Sequence, residues 1–194
     1  MGKVVYSMQV SLDGYIEGPN HELDWSIVDE ELQSYVITQQ RRVGAYLWGR
    51  RVYEHMAAYW PTADQDPAAP SFVLDYAGIW KNTPKIVFSR TLKHVEHNAT
   101  DNVRLLREVT PETVASLKIE FSKDLSVGGP DLAASFMRPG LIDEYGLFVQ
   151  PIILGRGTPF FPQLDPPIKL RLLETHRFTS GVVYLRYQPA GSSQ

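Results

Sequence analysis

The sequence predicts an α/β fold: a twisted mixed sheet, mostly parallel, flanked by helices and antiparallel at its C-terminal edge. Three observations predict it. Strand and helix patterns alternate as far as Met137, which calls for crossover connections and parallel pairing. After Leu141 strand patterns follow one another with little but turns between them, which calls for hairpins. No internal repeat or linker divides the 194 residues, so one domain is expected over 1–188, with a flexible tail over 189–194.

The elements follow in order. Val4, Tyr6, Met8 and Val10 alternate with Val5, Ser7, Gln9 and Ser11, giving a strand over 3–11 with one strongly apolar face. Asp13-Gly14 turns it, and Gly18-Pro19-Asn20 is loop. An acidic start, a basic end and the spacing of Leu32, Tyr35 and Val36 predict a helix over 29–43. A short apolar strand, 45–48, runs through Gly49-Arg50-Arg51 into a helix with Val52, Tyr53, Met56 and Tyr59 on one face. Residues 61–70 read as proline-rich loop, 72–80 as a short helix, and 85–88 as a strand ending at Ser89-Arg90. Residues 93–105 read as irregular or weakly extended. Thr110-Pro111-Glu112 is a helix start: a cap, a proline at the first position, and an acid near the positive end. A strand over 125–127, the Gly128-Gly129 turn and a helix from Pro130 carrying Leu132 come next; Pro139-Gly140 stops that helix. Strands are expected over 141–149, 152–154, 170–178 and 182–187, the last two as a hairpin around Thr179-Ser180-Gly181.

Composition narrows the function. A net charge of -3 offers no field for nucleic acid or an anionic membrane, so neither is expected as a partner. The absence of cysteine removes disulfides, thiol nucleophiles and thiolate metal sites, and fits a cytoplasmic protein. The N-terminal stretch is too short and too polar for a signal peptide, and no apolar run reaches the roughly 20 residues of a membrane span. His94 and His97 have a spacing that metals accept, but their polar, irregular stretch makes a poor site, and no metal is expected.

What remains is a repeated strand–turn–helix arrangement, at Trp48-Gly49-Arg50 and at Val127-Gly128-Gly129-Pro130. In open α/β sheets ligands sit at the carboxyl ends of strands, where helix N-termini offer free N–H groups to phosphate. Glycine lets the backbone approach such a ligand. Gly128-Gly129 therefore reads as a pyrophosphate cradle, or as a tight turn with no ligand. Arg50, Ser89 and Arg90 end two other strands and could converge on a 2′-phosphate, which would favour NADPH over NADH; solvated loop residues are the alternative. Gly155-Arg156-Gly157 after Leu154 is either a bend or a loop that closes over a cofactor. Asp13 either helps deliver a proton to substrate or caps its own turn. Trp25, Asp29 and Glu30 open the first helix and could border a substrate cleft. Tyr53, Tyr59 and Trp60 read as core.

In order, Ser11-Leu12-Asp13-Gly14-Tyr15-Ile16, Leu23-Asp24-Trp25, Leu47-Trp48-Gly49-Arg50-Arg51-Val52-Tyr53-Glu54, the run from Lys85 through Ser89-Arg90 to Leu92, Val127-Gly128-Gly129 and Leu154-Gly155-Arg156-Gly157-Thr158-Pro159 resemble one family. It is the dihydrofolate-reductase-like family that includes the reductase domain of the riboflavin-biosynthesis deaminase–reductase, and more narrowly its stand-alone bacterial members. The resemblance covers roughly residues 3–187. It implies a three-layer fold, NADPH as hydride donor and, as in many relatives, a homodimer. It places Gly49, Arg50, Val52 and Leu132 beside the cofactor, Ser89 and Arg90 at the adenosine phosphate, Gly128 and Gly129 at the pyrophosphate, and Leu154, Gly155 and Gly157 on the nicotinamide side. The sequence departs from the riboflavin reductases at Tyr15, where they usually carry lysine, and over 24–31, which lacks their phosphate-binding arginine. These departures predict a heterocyclic or carbonyl substrate other than 5-amino-6-(5-phosphoribosylamino)uracil. Folate reduction, for which Asp29 or Glu30 would serve as the buried carboxylate, and a non-catalytic NADPH sensor are the alternatives.

Overall fold

Ala45 and Leu47 point to one face of the third strand and Tyr46 and Trp48 to the other, and all four are buried. A strand apolar on both faces belongs in the middle of a sheet covered on both sides, and that is its place in this computed structural model, which describes residues 2–95 and 102–191. The elements are β1 (Val4–Ser11), β2 (Tyr15–Glu17), α1 (Glu30–Gln40), β3 (Val43–Gly49), α2 (Arg50–Tyr59), α3 (Ser71–Asn82), β4 (Lys85–Phe88), β5 (Val103–Leu106), α4 (Pro111–Glu120), β6 (Asp124–Gly128), α5 (Pro130–Met137), β7 (Glu144–Gln150), β8 (Thr158–Pro159), β9 (Leu170–Arg177) and β10 (Val183–Pro189). Eight of the strands form one sheet in the order β5-β4-β3-β6-β1-β7-β10-β9. Pairing is parallel from β5 to β7 and antiparallel from β7 to β9. β2 and β8 form a separate two-stranded ribbon.

Each face has its own core. Val114, Leu117, Leu132 and Phe136 of α4 and α5 pack on Val4, Tyr6, Leu47 and Val127. On the opposite face Leu32 of α1 meets Phe148, Phe178 and Tyr184, while Tyr53 of α2 and Trp80 of α3 meet Tyr46, Trp48 and Val87. The helix caps follow the local chemistry. Asp29 accepts from the Leu32 N–H, and Thr110 from the Thr113 N–H. No helix is long and apolar enough to cross a membrane among the described residues.

The expected mixed sheet is the one found, with five local corrections. Residues 103–106 are a parallel edge strand rather than irregular chain, because pairing with Lys85–Phe88 organises a segment too short to show a period of its own. Residues 152–154 form no strand: Ile153 is 70% exposed, and the Ile152 N–H folds back to the Gln150 carbonyl. The strand expected from 141 starts at Glu144. The loop 61–70 contains a 3-10 turn, Ala63–Gln65. At the C-terminus β10 runs on through Pro189, and the Ala190 N–H donates to the Lys169 carbonyl, so the expected boundary at 188 falls within a strand. His97 lies outside the described residues.

A candidate cofactor cleft at the carboxyl edge of the sheet

Parallel pairing brings the carboxyl ends of β3, β4, β5 and β6 to one edge, where they surround a cleft of about 420 Å³. Eight of the eleven residues expected to touch a cofactor line it: Gly49, Arg50, Val52, Ser89, Arg90, Gly128, Gly129 and Leu132. They come from three strand ends far apart in the chain, those of β3, β4 and β6. α2 and α5 both start at its wall, and neither N-cap, Gly49 or Gly129, supplies a side-chain acceptor to the first turn. No side chain caps either first turn, and the positive ends of two helices face the cleft.

The three glycines have different reasons. A Cβ on Gly128 would lie 2.6 Å from Trp48 Cδ1, and one on Gly129 2.8 Å from Val52 Cγ2, where the backbone also has φ 92°. Packing against the protein's own side chains thus demands both, quite apart from any ligand. Gly49 is the opposite case. Its φ of -72° suits any residue, and a Cβ there would meet nothing closer than Leu132 Cβ at 4.0 Å. The space that glycine keeps open belongs to the cleft.

Arginines dominate the charge. Arg50, Arg51, Arg90 and Arg107 line the cleft against Glu108 and Asp131, a surplus that suits a polyanion. Arg50 Nε reaches Glu54 at 2.6 Å, an exposed pair easily exchanged for a phosphate. Arg107 donates to the Ser89 carbonyl at 2.9 Å and also to that of Leu92, bracing the turn that carries Ser89 and Arg90. Ser89 Oγ accepts from the Leu92 N–H. Arg51 and Arg107 were not anticipated. Arg107 follows a strand end just as Arg90 does, but that strand, β5, carries no pattern of its own.

Leu154, Gly155 and Gly157 do not line the cleft. They belong to the loop after β7, which is pinned from below. Asp13 accepts from the Leu154 N–H at 3.0 Å, the Gly155 N–H at 2.6 Å and Ser11 Oγ at 2.7 Å. Partial desolvation pushes its carboxyl up, but these hydrogen bonds outweigh it and hold the group below the usual carboxylate range. Gly157 packs on the Glu17 carbonyl, which a Cβ would approach to 2.1 Å. Glu17 is a second unanticipated hub. Its Oε1 takes Thr158 Oγ1 at 2.7 Å, His21 Nδ1 at 2.7 Å and Arg51 Nη2 at 3.0 Å, which ties the β2–β8 ribbon to the cleft wall.

The expected substrate-side residues are scattered. Trp25 donates its indole N–H to the Glu22 carbonyl, Asp29 caps α1, and Glu30 is exposed in the first turn of that helix. None of the three lines the cleft. Tyr53 is core as expected, whereas Tyr59 is 54% exposed.

A family model described as the RibD C-terminal domain matches residues 2–184. An uncharacterised protein of Bacillus subtilis (strain 168), YyaP, is 32% identical over 192 residues, covering 95% of this chain and 94% of that one. Among solved structures, a putative riboflavin biosynthesis protein from Shewanella sp. PV-4 superposes with a TM-score of 0.74 at 23% identity, covering 98% of this chain and 99% of that one. A dihydrofolate reductase from Enterococcus faecalis, complexed with NADP(H), superposes with a TM-score of 0.59 at 14% identity, covering 97% and 96%.

Proposed function

The chain belongs to the RibD C-terminal domain family, and from that premise we propose that it is an NADPH-dependent reductase of a small molecule. One observation carries the cofactor reading. Arginines, two uncapped helix N-termini and an unfilled glycine wall, contributed by four separated strand ends, converge on one cleft. NADPH, when bound, supplies a hydride. In this reading Gly128, Gly129 and the first turn of α5 hold the pyrophosphate. Arg50, Ser89 and Arg90 hold the 2′-phosphate, and Gly49, Val52 and Leu132 flank the chain between them.

Leu154, Gly155 and Gly157 act from the rim, as a loop over the ends of β1 and β7. Asp13 is a positioning residue here. An ionised carboxylate already accepting three hydrogen bonds holds that loop rather than giving up a proton. Trp25, Asp29 and Glu30 support the substrate side by shaping the entry to α1. A homodimer is part of the same reading, tested by sedimentation at micromolar protein.

Titration of the protein with NADPH, followed by nicotinamide fluorescence, tests the cofactor. Saturable binding is expected at about 10 µM or tighter, and Arg50→Ala should weaken NADPH by about tenfold or more while changing NADH little. No binding at about 100 µM, or equal losses for the two nucleotides, overturns the proposal.

A further inference from the structure

The opposite edge of the sheet holds a second space. It lies under the second half of α1, at the amino ends of β1, β6 and β7, and has a volume of about 170 Å³. The cofactor cleft opens at the carboxyl ends of the strands, and no residue lines both spaces. A cavity of on the order of 150 Å³ holds one molecule of benzene's size.

Its floor is a row across four strands. Ser7 of β1 pairs with Gly146 of β7, Gly146 with Arg186 of β10, and Arg186 with Glu174 of β9. Gly146 has no side chain, and the Ser7 hydroxyl leans over it. A Cβ there would collide with Ser7 Oγ and lie 3.1 Å from the Tyr184 hydroxyl. Ser7 and Arg186 flank this glycine and both line the cavity. Ser7 Oγ and Arg186 Nε are buried, and neither has a hydrogen-bond partner among the described residues. Two such atoms beside one cavity are out of the ordinary, because a buried donor without a partner forfeits its hydration for nothing in return.

The neighbouring carboxylates are already engaged. Glu144 takes Lys3 Nζ at 2.5 Å and Arg186 Nη1 at 3.3 Å, and Glu174 takes Arg186 Nη2 at 2.9 Å and the Tyr35 hydroxyl at 2.6 Å. Lys3 and Arg186 thus balance the two glutamates. The other charged side chains of the lining, Arg42 and Asp124, also sum to zero. The cavity therefore offers spare donors in a lining without net charge. A charged guest would lose its hydration there with no net field to replace it. A neutral carbonyl oxygen has two lone pairs, one for each donor.

We infer that this cavity is a second small-molecule site, for an uncharged ligand of about benzene's size that carries an amide or urea carbonyl. The carbonyl oxygen accepts from Ser7 Oγ and Arg186 Nε, and the ligand N–H groups donate to the free lone pairs of the Asp124 and Glu144 carboxylates. Because the two spaces share no lining, binding here needs no cofactor, and the inference stands apart from the NADPH reading.

2-Piperidone, a lactam, and cyclopentanecarboxylate, an anion of similar size, are the probes, titrated into the full-length protein and followed by ligand-observed NMR. 2-Piperidone is expected to saturate below about 1 mM, and cyclopentanecarboxylate not to bind below about 10 mM. Ser7→Ala removes one donor and should weaken 2-piperidone by about tenfold, with NADPH affinity within about twofold. It should not lower the melting temperature, since it deletes a group that has no partner. Failure of 2-piperidone to saturate overturns the site and leaves a cavity for water alone. Tighter binding of cyclopentanecarboxylate overturns the ligand class. Unchanged 2-piperidone binding in Ser7→Ala, or competition between 2-piperidone and NADPH, overturns the placement. A lower melting temperature in Ser7→Ala overturns the premise, because the hydroxyl then has a partner within the fold.

Discussion

The two ends of α2 work in opposite chemistries. Its first turn meets glycines, arginines and free backbone N–H groups, while its last two turns meet rings, a thioether and amides. The first end is made of residues whose type is dictated by backbone space and formal charge. The other end is built by residues that would serve equally well in a core. The difference teaches why residues set by backbone space and charge announce themselves in a sequence and residues set by packing do not.

Substitution of glycine sharpens the comparison most. Gly128→Ala drives a methyl group into the Trp48 indole and should cost about 2 kcal/mol, seen as a melting temperature lower by about 5 °C. Gly49→Ala meets no such wall and should leave melting within about 1 °C while NADPH affinity drops about tenfold. Equal melting losses in the two variants would break the distinction between a packing glycine and a ligand glycine.

Glu17 asks whether the charged end reaches beyond the cleft. Desolvation raises its carboxyl, but Thr158, His21 and the Arg51 charge lower it further, so its folded value lies below its unfolded one. Its contribution is then complete above the unfolded value and disappears as pH falls through the folded one. Glu17→Gln should cost about 1 kcal/mol at pH 7 and flatten the loss of stability below about pH 4.5. Denaturant melts at several pH values measure this, and parallel curves for the two proteins would detach the ribbon from the cleft wall.

The smallest effect concerns Lys85, buried beside Trp80 in the core under the apolar end. Burial lowers its ammonium to about 8, although the Trp80 ring and carbonyl both favour the charged form. Between about 8 and 10.5 the unfolded chain binds the extra proton, so stability rises with pH by on the order of 1 kcal/mol, and below about 8 the penalty is complete. Lys85→Met should abolish that slope in urea titrations; an unchanged slope places its origin elsewhere.

Much of the fold was legible because alternation and capping are local. Thr110, Pro111 and Gly128 mark helix and strand ends whatever lies around them. Arg50, Ser89 and Arg90 were legible for the same reason, since each directly follows a recognisable strand. Arg107 was not, because β5 acquires its identity only by pairing with β4. Glu17 and Arg51 lie 34 positions apart, and no spacing rule links an acid on a short strand to a base on a helix. Gly128 reads from the sequence as a cradle or a tight turn, and the Trp48 indole that forbids a Cβ there is a contact no local pattern shows. Tyr59 read as core because exposure leaves no mark on a helical period. Asp13 reads equally as a proton donor and a turn cap, and its hydrogen bonds from the Leu154 and Gly155 amides, more than a hundred positions away, leave no mark in the sequence.

β1 holds the centre of the sheet between β6 and β7, and Val4 pairs with Leu125. A ribosome must therefore add more than a hundred residues after this strand before either neighbour exists. Throughout that interval Val4, Tyr6 and Val10 have no sheet to enter. Nascent chains of this protein should be a substrate for holding chaperones until late in synthesis, because β1, made before either neighbour, enters the sheet only once β6 and β7 follow it.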